Sequence, residues 1–116
     1  MQIFEPRDVI KVPFPYTDRP VRERRPALVV SSGKLQADHG LLWVLMITSL
    51  TSRTWPDDVP VSELTQSGLP SPSVVRTAKI AAIEAKESER IGRLPEVDWS
   101  KVCKQVESRL AAGLPD

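Results

Sequence analysis

Two nearly continuous apolar runs constrain the fold more than any other feature of the 116-residue sequence. They are "PALVVSS" (Pro26–Ser32) and "LLWVLMIT" (Leu41–Thr48). Apolar runs of this length, bounded by polar residues, are typical of strands that are buried on both faces. An open sheet with one solvated face would instead alternate apolar and polar residues. The two runs therefore predict neighbouring antiparallel strands in a small closed barrel.

The other strand signals flank these two runs. "RDVIKVPF" (Arg7–Phe14) has the two-residue period of a strand, and its prolines end the strand or confine it to an edge. "DDVPVSEL" (Asp57–Leu64) is a weaker strand because it contains a proline. "SVVRTAKIAAI" (Ser73–Ile83) holds one or two short strands, and "RIGRL" (Arg90–Leu94) another. Short strands separated by turn signals predict an all-β, barrel-like core.

The C-terminal segment has a helical period instead. Apolar residues follow the plausible N-cap Asp98 at helical spacing, and Gly113 with Pro115 supplies a stop. These apolar residues are Trp99, Val102, Cys103, Val106 and Leu110. The pattern predicts an amphipathic α-helix that packs against the barrel.

Composition is that of an ordinary globular chain, with 41% hydrophobic and 27% charged residues. We expect a single domain spanning residues 1–116. No apolar run approaches the about 20 residues that a bilayer crossing needs, and Cys103 is the single cysteine, so we expect a soluble cytoplasmic protein without disulfides. The net charge is only +1, but the positive excess lies in the N-terminal third.

Several kinds of chemistry lack the residues they require. His39 is the single histidine and precedes a glycine in a turn-like "DHG", while the Asp57–Asp58 pair has no further ligand at useful spacing. The scattered glycines form no phosphate-binding loop, and no nucleophile elbow accompanies His39. We therefore predict no metal and no cofactor.

The remaining residues that could carry chemistry are arginines close to hydroxyl-bearing residues. Arg22, Arg24 and Arg25 precede the second strand, Thr48 and Ser49 close the third, and Arg76 lies in a later strand. Guanidinium groups are rigid forks of donors that suit phosphate oxygens. Such a set could grip a nucleic-acid backbone, although a cluster of arginines on a loop is also typical of a solvated surface.

The order of motifs along the chain resembles one known family. "RDVIKVPFPYTD", "RRPALVVSS", "LLWVLMITS", "GLPSPSVVRTAKI" and "RIGRL", followed by an amphipathic helix, resemble the MazF/PemK toxin ribonucleases of type II toxin–antitoxin systems. The similarity runs from about Arg7 to Leu110. It implies an SH3-like β-barrel of the CcdB/MazF type with a C-terminal α-helix, assembled as a homodimer.

The same resemblance implies an activity and partners. Related toxins arrest growth by cutting single-stranded RNA without a metal, because the 2′-hydroxyl attacks the adjacent phosphate and leaves 2′,3′-cyclic phosphate and 5′-hydroxyl ends. A cognate antitoxin would occupy the same groove, and the toxin–antitoxin complex would bind DNA.

Residue roles follow from the resemblance as well. The implied catalytic set is Arg25, Thr48, Ser49 and Arg76. We expect further RNA contacts from residues of the first loop and of a later strand, namely Arg19, Arg22, Glu23, Arg24 and Lys79.

The chain departs from the family pattern at two positions. Ala78 stands where PemK-type members commonly carry an aspartate, and Leu50 where MazF-type members carry a glutamine. Two alternatives therefore stay open: a catalytically weakened barrel that binds RNA or antitoxin, and a toxin that poisons DNA gyrase like the fold-related CcdB proteins.

Overall fold

The main architectural feature is one six-stranded antiparallel sheet with the strand order β4-β5-β3-β2-β1-β6. The computed structural model describes residues 2–13, 24–51 and 53–111. The elements are β1 (Asp8–Pro13), β2 (Arg24–Val29), α1 (Gly33–His39), β3 (Leu41–Ser49), β4 (Val59–Pro60), α2 (Leu64–Ser67), β5 (Ser73–Glu84), a 3-10 turn (Ala85–Glu87), β6 (Glu89–Arg93) and α3 (Glu96–Arg109). The antiparallel sheet and the terminal helix confirm the predicted mainly β, MazF-type fold with a C-terminal α-helix, and the sheet forms a half-barrel where a closed barrel was expected.

Both faces of the central strands are buried, as the apolar runs predict. Val44 and Met46 of β3 belong to a first core cluster, which also contains Phe4 and Ile10. The alternating residues of the same strand, including Leu45, pack into a second core cluster on the opposite face. Because successive side chains of a strand point to opposite faces, a nearly continuous apolar sequence supplies both clusters.

Helix α3 covers the second core cluster. Val102 is fully buried there, and Trp99 and Val106 pack against the cluster. Cys103 is half-buried on the same helix, and burial, together with the nearby carboxylate of Glu107, raises the pKa of its thiol. The predicted amphipathic helix is thus confirmed.

The predicted start of α3 is wrong by three residues. The N-cap is Pro95, and Asp98 lies within the first turn. Its buried carboxylate accepts hydrogen bonds from the backbone N–H of Ser62 (2.8 Å) and from the Ser62 hydroxyl (2.9 Å). Asp98 therefore ties the helix to the segment after β4 instead of capping its own helix. The predicted stop residues Gly113 and Pro115 lie outside the described residues.

Two short helices were missed by the sequence reasoning. Helix α1 has the polar sequence "GKLQADH", which lacks an apolar period, and it ends at Gly40 in the left-handed conformation (φ 68°). His39 is its last residue and is exposed. Gln36 anchors α1, because its buried amide accepts from the N–H of Phe4 (2.9 Å) and donates to the carbonyl of Gln2 (2.7 Å). Helix α2 is a single turn.

The strands β4 and β5 also differ from expectation. The strand β4 has only two residues, because its proline cannot donate to a ladder, and it lies at the edge of the sheet. By contrast, β5 is one continuous strand of 12 residues. Its pairing with β3 shifts register between Leu45 and Met46, so that Ile80 and Arg76 face these two residues. The intervening residues 77–79 form a bulge.

Two glycines bring α2 against the opposite edge of the sheet. Gly68 ends α2 with φ 72°, and a Cβ atom there would overlap the carbonyl of Ile91. A Cβ atom on Gly92 of β6 would overlap the backbone of Ser67. The segment after β4 therefore comes into direct backbone contact with β6, and this contact draws the two ends of the sheet together.

Gly92→Ala is expected to lower the free energy of unfolding by at least about 1–3 kcal/mol, since the added methyl group meets backbone that cannot move aside cheaply. Gly33→Ala is the matched control, because no atom lies within 4 Å of the added Cβ atom. Urea unfolding of both variants measures the difference. Equal midpoints for the two variants would contradict the close contact.

Asp98→Ala is expected to cost about 1.5–3 kcal/mol of unfolding free energy, because two hydrogen bonds to a buried carboxylate are lost. Glu96→Ala, on the exposed side of the same helical turn, should leave stability nearly unchanged. Thermal or urea unfolding distinguishes the two. If both variants unfold alike, Asp98 does not tie α3 to Ser62.

Candidate functional site

A groove of about 390 Å³ lies at the end of the sheet where β2 begins and β3 ends. Residues from both sheet faces contribute, since the groove follows the strand ends. Its lining consists of Lys11, Arg24, Arg25, Pro26, Ile47, Thr48, Ser49, Leu69, Pro70, Ser71, Ser73 and Ile91. None of these lining residues is acidic, and three are cations.

Arg25 and Thr48 both line this groove, at the start of β2 and near the end of β3. The strands β2 and β3 pair with Ala27 opposite Met46, and continuing that register by two residues brings Arg25 opposite Thr48. Directly opposed residues of antiparallel strands share a face, with Cβ atoms roughly 4.5–5.5 Å apart. Arg25 is half-buried and Thr48 is buried. A guanidinium group and a hydroxyl group can therefore act on one bound oxyanion.

Further hydroxyls surround this pair. Ser49 pairs with Ser73 across β3 and β5, and both line the groove. The Ser49 hydroxyl is 2.9 Å from that of Thr51, whose backbone N–H donates to the Ser49 oxygen at 3.2 Å. The Ser73 hydroxyl donates to the carbonyl of Ser71 at 2.8 Å. These contacts orient the serine hydroxyls at the groove wall.

Lys11 and Arg24 extend the positive charge along the groove. Lys11 pairs with Pro26 across β1 and β2, and Arg24 begins β2. Arg24 lies 3.6 Å from the carboxylate of Glu89, and both side chains are largely exposed. Exposed pairs of this kind contribute little, so Arg24 can exchange Glu89 for another anion at small cost.

Arg76 does not line the groove. The register of β4 with β5 pairs Val59 with Val75, which brings Asp58 opposite Arg76. The Arg76 Nη2 and Nε atoms donate to the two carboxylate oxygens of Asp58, at 3.0 and 3.3 Å. Sequence reasoning considered Asp58 only as a metal ligand, and its proximity to Arg76 had no local signal. The catalytic role of Arg76 stays a prediction.

The remaining predicted RNA contacts separate into two groups. Lys79 is exposed within the bulge of β5 and does not line the groove. Ala78, where relatives carry the acid, is exposed beside it. Arg19, Arg22 and Glu23 lie outside the described residues.

One wall of the groove was missed by sequence reasoning. Leu69, Pro70 and Ser71 come from the link after α2, which the sequence marked only as turn-rich, and Ile91 comes from β6. These residues form a groove wall because α2 and β6 are in contact at Gly68 and Gly92. No local sequence pattern predicts that contact. The prolines of "GLPSPS" were the available signal for a rigid link.

Over residues 2–13, 24–51 and 53–111, no group of three His, Cys, Asp or Glu side chains is arranged to hold a metal ion. Among the helices of those same ranges, none has both the length and the apolar character needed to cross a bilayer.

Comparisons with solved structures identify the fold. MazF from Deinococcus radiodurans is similar with a TM-score of 0.75 at 19% identity, covering 93% of this chain and 96% of that chain. An endoribonuclease in complex with its cognate antitoxin from a mycobacterial species gives 0.71 at 17% identity, covering 96% and 98%. Mycobacterium tuberculosis toxin MazF-mt6 gives 0.64 at 22% identity, covering 85% and 92%.

The sequence comparison identifies the family. A search of curated proteins found no matching sequence. Residues 5–110, nearly the whole chain, match the family described as the PemK-like, MazF-like toxin of type II toxin–antitoxin systems. Together with the six-stranded fold and the arginine–threonine groove, this match establishes that the chain belongs to the PemK/MazF toxin family.

Proposed function

We propose that this toxin is an endoribonuclease that cleaves single-stranded RNA without a metal cofactor. The observation that carries the proposal is the presence of Arg25 and Thr48 together in one groove, whose lining in the described part of the chain includes three cations and no acid. Polyanions bind such a groove, and an arginine facing a hydroxyl provides donors for one phosphate.

The proposed reaction is an internal phosphoryl transfer. The ribose 2′-oxygen attacks the adjacent phosphorus, a P–O2′ bond forms, and the P–O5′ bond breaks. The products are a 2′,3′-cyclic phosphate and a 5′-hydroxyl. Negative charge grows on the non-bridging oxygens during this step, and fixed donors aimed at those oxygens stabilise it. Arg25 supplies two such donors, and Thr48 and Ser49 supply hydroxyls.

Proton transfer completes the reaction. The 2′-hydroxyl must lose a proton, and the leaving 5′-oxygen must gain one. Asp58 is poorly suited as the base, because both of its carboxylate oxygens accept hydrogen bonds from Arg76. Glu23 is the carboxylate we propose for this role, in addition to contacting RNA. Arginine itself is no base, since its guanidinium group keeps its proton in proteins.

The partners proposed for the site follow from its charge. A cognate antitoxin with an acidic segment would compete with RNA for the same cations, and solved relatives in complex with MazE or with a cognate antitoxin support this partner class. We also propose a homodimer in the cytoplasm, with RNA contacts from Arg19, Arg22, Arg24 and Lys79.

Arg25→Ala is expected to lower kcat for RNA cleavage by roughly 10²–10³-fold, since one fixed donor to the developing charge is lost. Purified protein is incubated with a long single-stranded transcript and a chelator, and the new ends are mapped chemically. Lys101→Ala, which removes an exposed cation on α3, is the control and should cleave normally.

The outcome also separates the alternatives. New 5′-hydroxyl ends in the presence of chelator support the proposal, whereas a gel shift without new ends supports a barrel that only binds. Growth arrest by Arg25→Ala without new RNA ends would favour a gyrase target and overturn the ribonuclease.

Thr48→Val is expected to reduce kcat, because the substitution keeps the shape of the side chain and replaces the hydroxyl by a methyl group. Cleavage rates and a urea unfolding curve are measured on the same preparation. A normal cleavage rate would exclude Thr48 from the reaction.

A further inference from the structure

Trp55 is an unusually exposed aromatic residue in the connection between β3 and β4. Its side chain retains 40% of its accessible surface, and it belongs to neither core cluster. The connection starts directly after Ser49, a residue of the groove. An exposed indole contributes little to folding, so a fixed conformation of Trp55 would point to binding.

The backbone of Trp55 is fixed in a closed turn. Its N–H donates to the Asp58 carboxylate at 2.8 Å, and its carbonyl accepts from the N–H of Asp58 at 3.2 Å. Between them, Asp57 adopts a left-handed conformation (φ 69°) and pairs with Arg109 of α3 at 2.8 Å. The turn is therefore tied to both the sheet edge and the terminal helix.

The ring of Trp55 is supported on one face by Arg76. The guanidinium carbon lies 4.3 Å from the ring centroid. The same group is held by both oxygens of Asp58 and donates to the carbonyl of Arg53 at 2.7 Å. Only 12% of the Arg76 side chain and 6% of the Asp58 side chain are exposed. The support beneath the ring is thus rigid and electrically neutral.

This support lies on the same sheet face as the reactive pair. Arg76 faces Met46, and Thr48 is two residues further along β3, so the side chains of Arg76 and Thr48 emerge on one face. Arg25 lies on β2, two strand spacings or roughly 10 Å from β5. Nucleotides adjacent to a phosphate bound at Arg25 therefore reach the Trp55 turn.

We propose that Trp55 is a stacking platform for one unpaired nucleobase of the RNA, and that Arg76 is a positioning residue that holds this platform. The proposal rests on the RNA-binding function proposed above. Backbone cations combined with aromatic rings on which bases stack are the usual means of binding single strands. Here Lys11, Arg24 and Arg25 supply the cations, and Trp55 supplies the ring.

The test uses an oligonucleotide spanning a cleavage site mapped on a long transcript, with a 2′-O-methyl group at the scissile position to prevent attack. Fluorescence anisotropy measures its affinity, and each base is replaced in turn by an abasic spacer. For the wild type, one spacer position is expected to raise Kd by roughly 5- to 140-fold. Trp55→Leu should bind the intact oligonucleotide with a Kd raised by the same factor. An abasic spacer at that position should not raise the Kd of the variant further.

Two control variants sharpen the test. Trp55→Phe retains an aromatic face and should keep most of the affinity. Trp43→Leu removes an exposed tryptophan that lines a separate cavity beside α1, and it should bind normally. If each abasic spacer raises the Kd by the same factor in the wild type and in Trp55→Leu, the stacking platform is overturned.

Arg76→Lys tests the positioning role, because lysine keeps the charge but cannot form the fork with Asp58. The variant is expected to raise KM and Kd as Trp55→Leu does, with kcat within about twofold of the wild type. The double variant should be no worse than Trp55→Leu alone. Asp58→Asn should also raise KM. This variant tests the positioning role if Arg76→Lys folds poorly.

The results separate this inference from the proposed function. A fall in kcat with unchanged KM for Arg76→Lys would place Arg76 on the scissile phosphate and overturn its positioning role. If the wild-type protein cleaves RNA and Trp55→Leu binds each oligonucleotide with the same Kd as the wild type, only the stacking platform is overturned. Wild-type protein that neither cleaves nor binds RNA would overturn the ribonuclease function itself.

Discussion

Burial of both faces of β2 and β3 is the constraint on which the rest of the structure depends. A six-stranded sheet in a chain of 116 residues cannot cover two apolar faces unless it curls over one of them and a helix covers the other. The first core cluster contains Phe4 from the N-terminal segment, and Val102 of α3 lies in the second. The contact of Gly68 with the backbone of β6 completes the arrangement at the sheet edges.

Because apolar packing occupies both faces, polar chemistry is confined to the strand ends. Arg25 stands at the start of β2, and Thr48 and Ser49 stand at the end of β3, next to the core but with access to the groove. The strand register thus determines the distance between guanidinium and hydroxyl, with no need for a flexible loop to bring them together. The groove wall after α2 is positioned by the same closure that completes the barrel.

Local patterns predicted those parts of the molecule whose neighbours are close in sequence or repeat with a simple period. The strand β1 and the apolar face of α3 follow from periods of two and of about 3.6 residues, and the two-sided burial of β2 and β3 follows from their continuous apolar runs. The short helices α1 and α2 carry no such period, and the start of α3 was misplaced because Asp98 serves a distant partner, Ser62. Likewise, the motif that suggested catalysis for Arg76 contains no information about Asp58, which lies 18 residues away in sequence and directly opposite in space.

The neutral pair beneath Trp55 has a consequence for how binding would respond to ionic strength. Under the proposed RNA-binding function, contacts from Lys11, Arg24 and Arg25 to phosphates would release counterions, so their contribution would weaken steeply as salt rises. The charge of Arg76 is already cancelled by Asp58. Stacking on Trp55 would therefore release few ions and persist in high salt. As salt rises, the relative weight of base stacking over backbone charge would increase, so unpaired bases would hold the RNA at ionic strengths where the phosphate contacts have weakened.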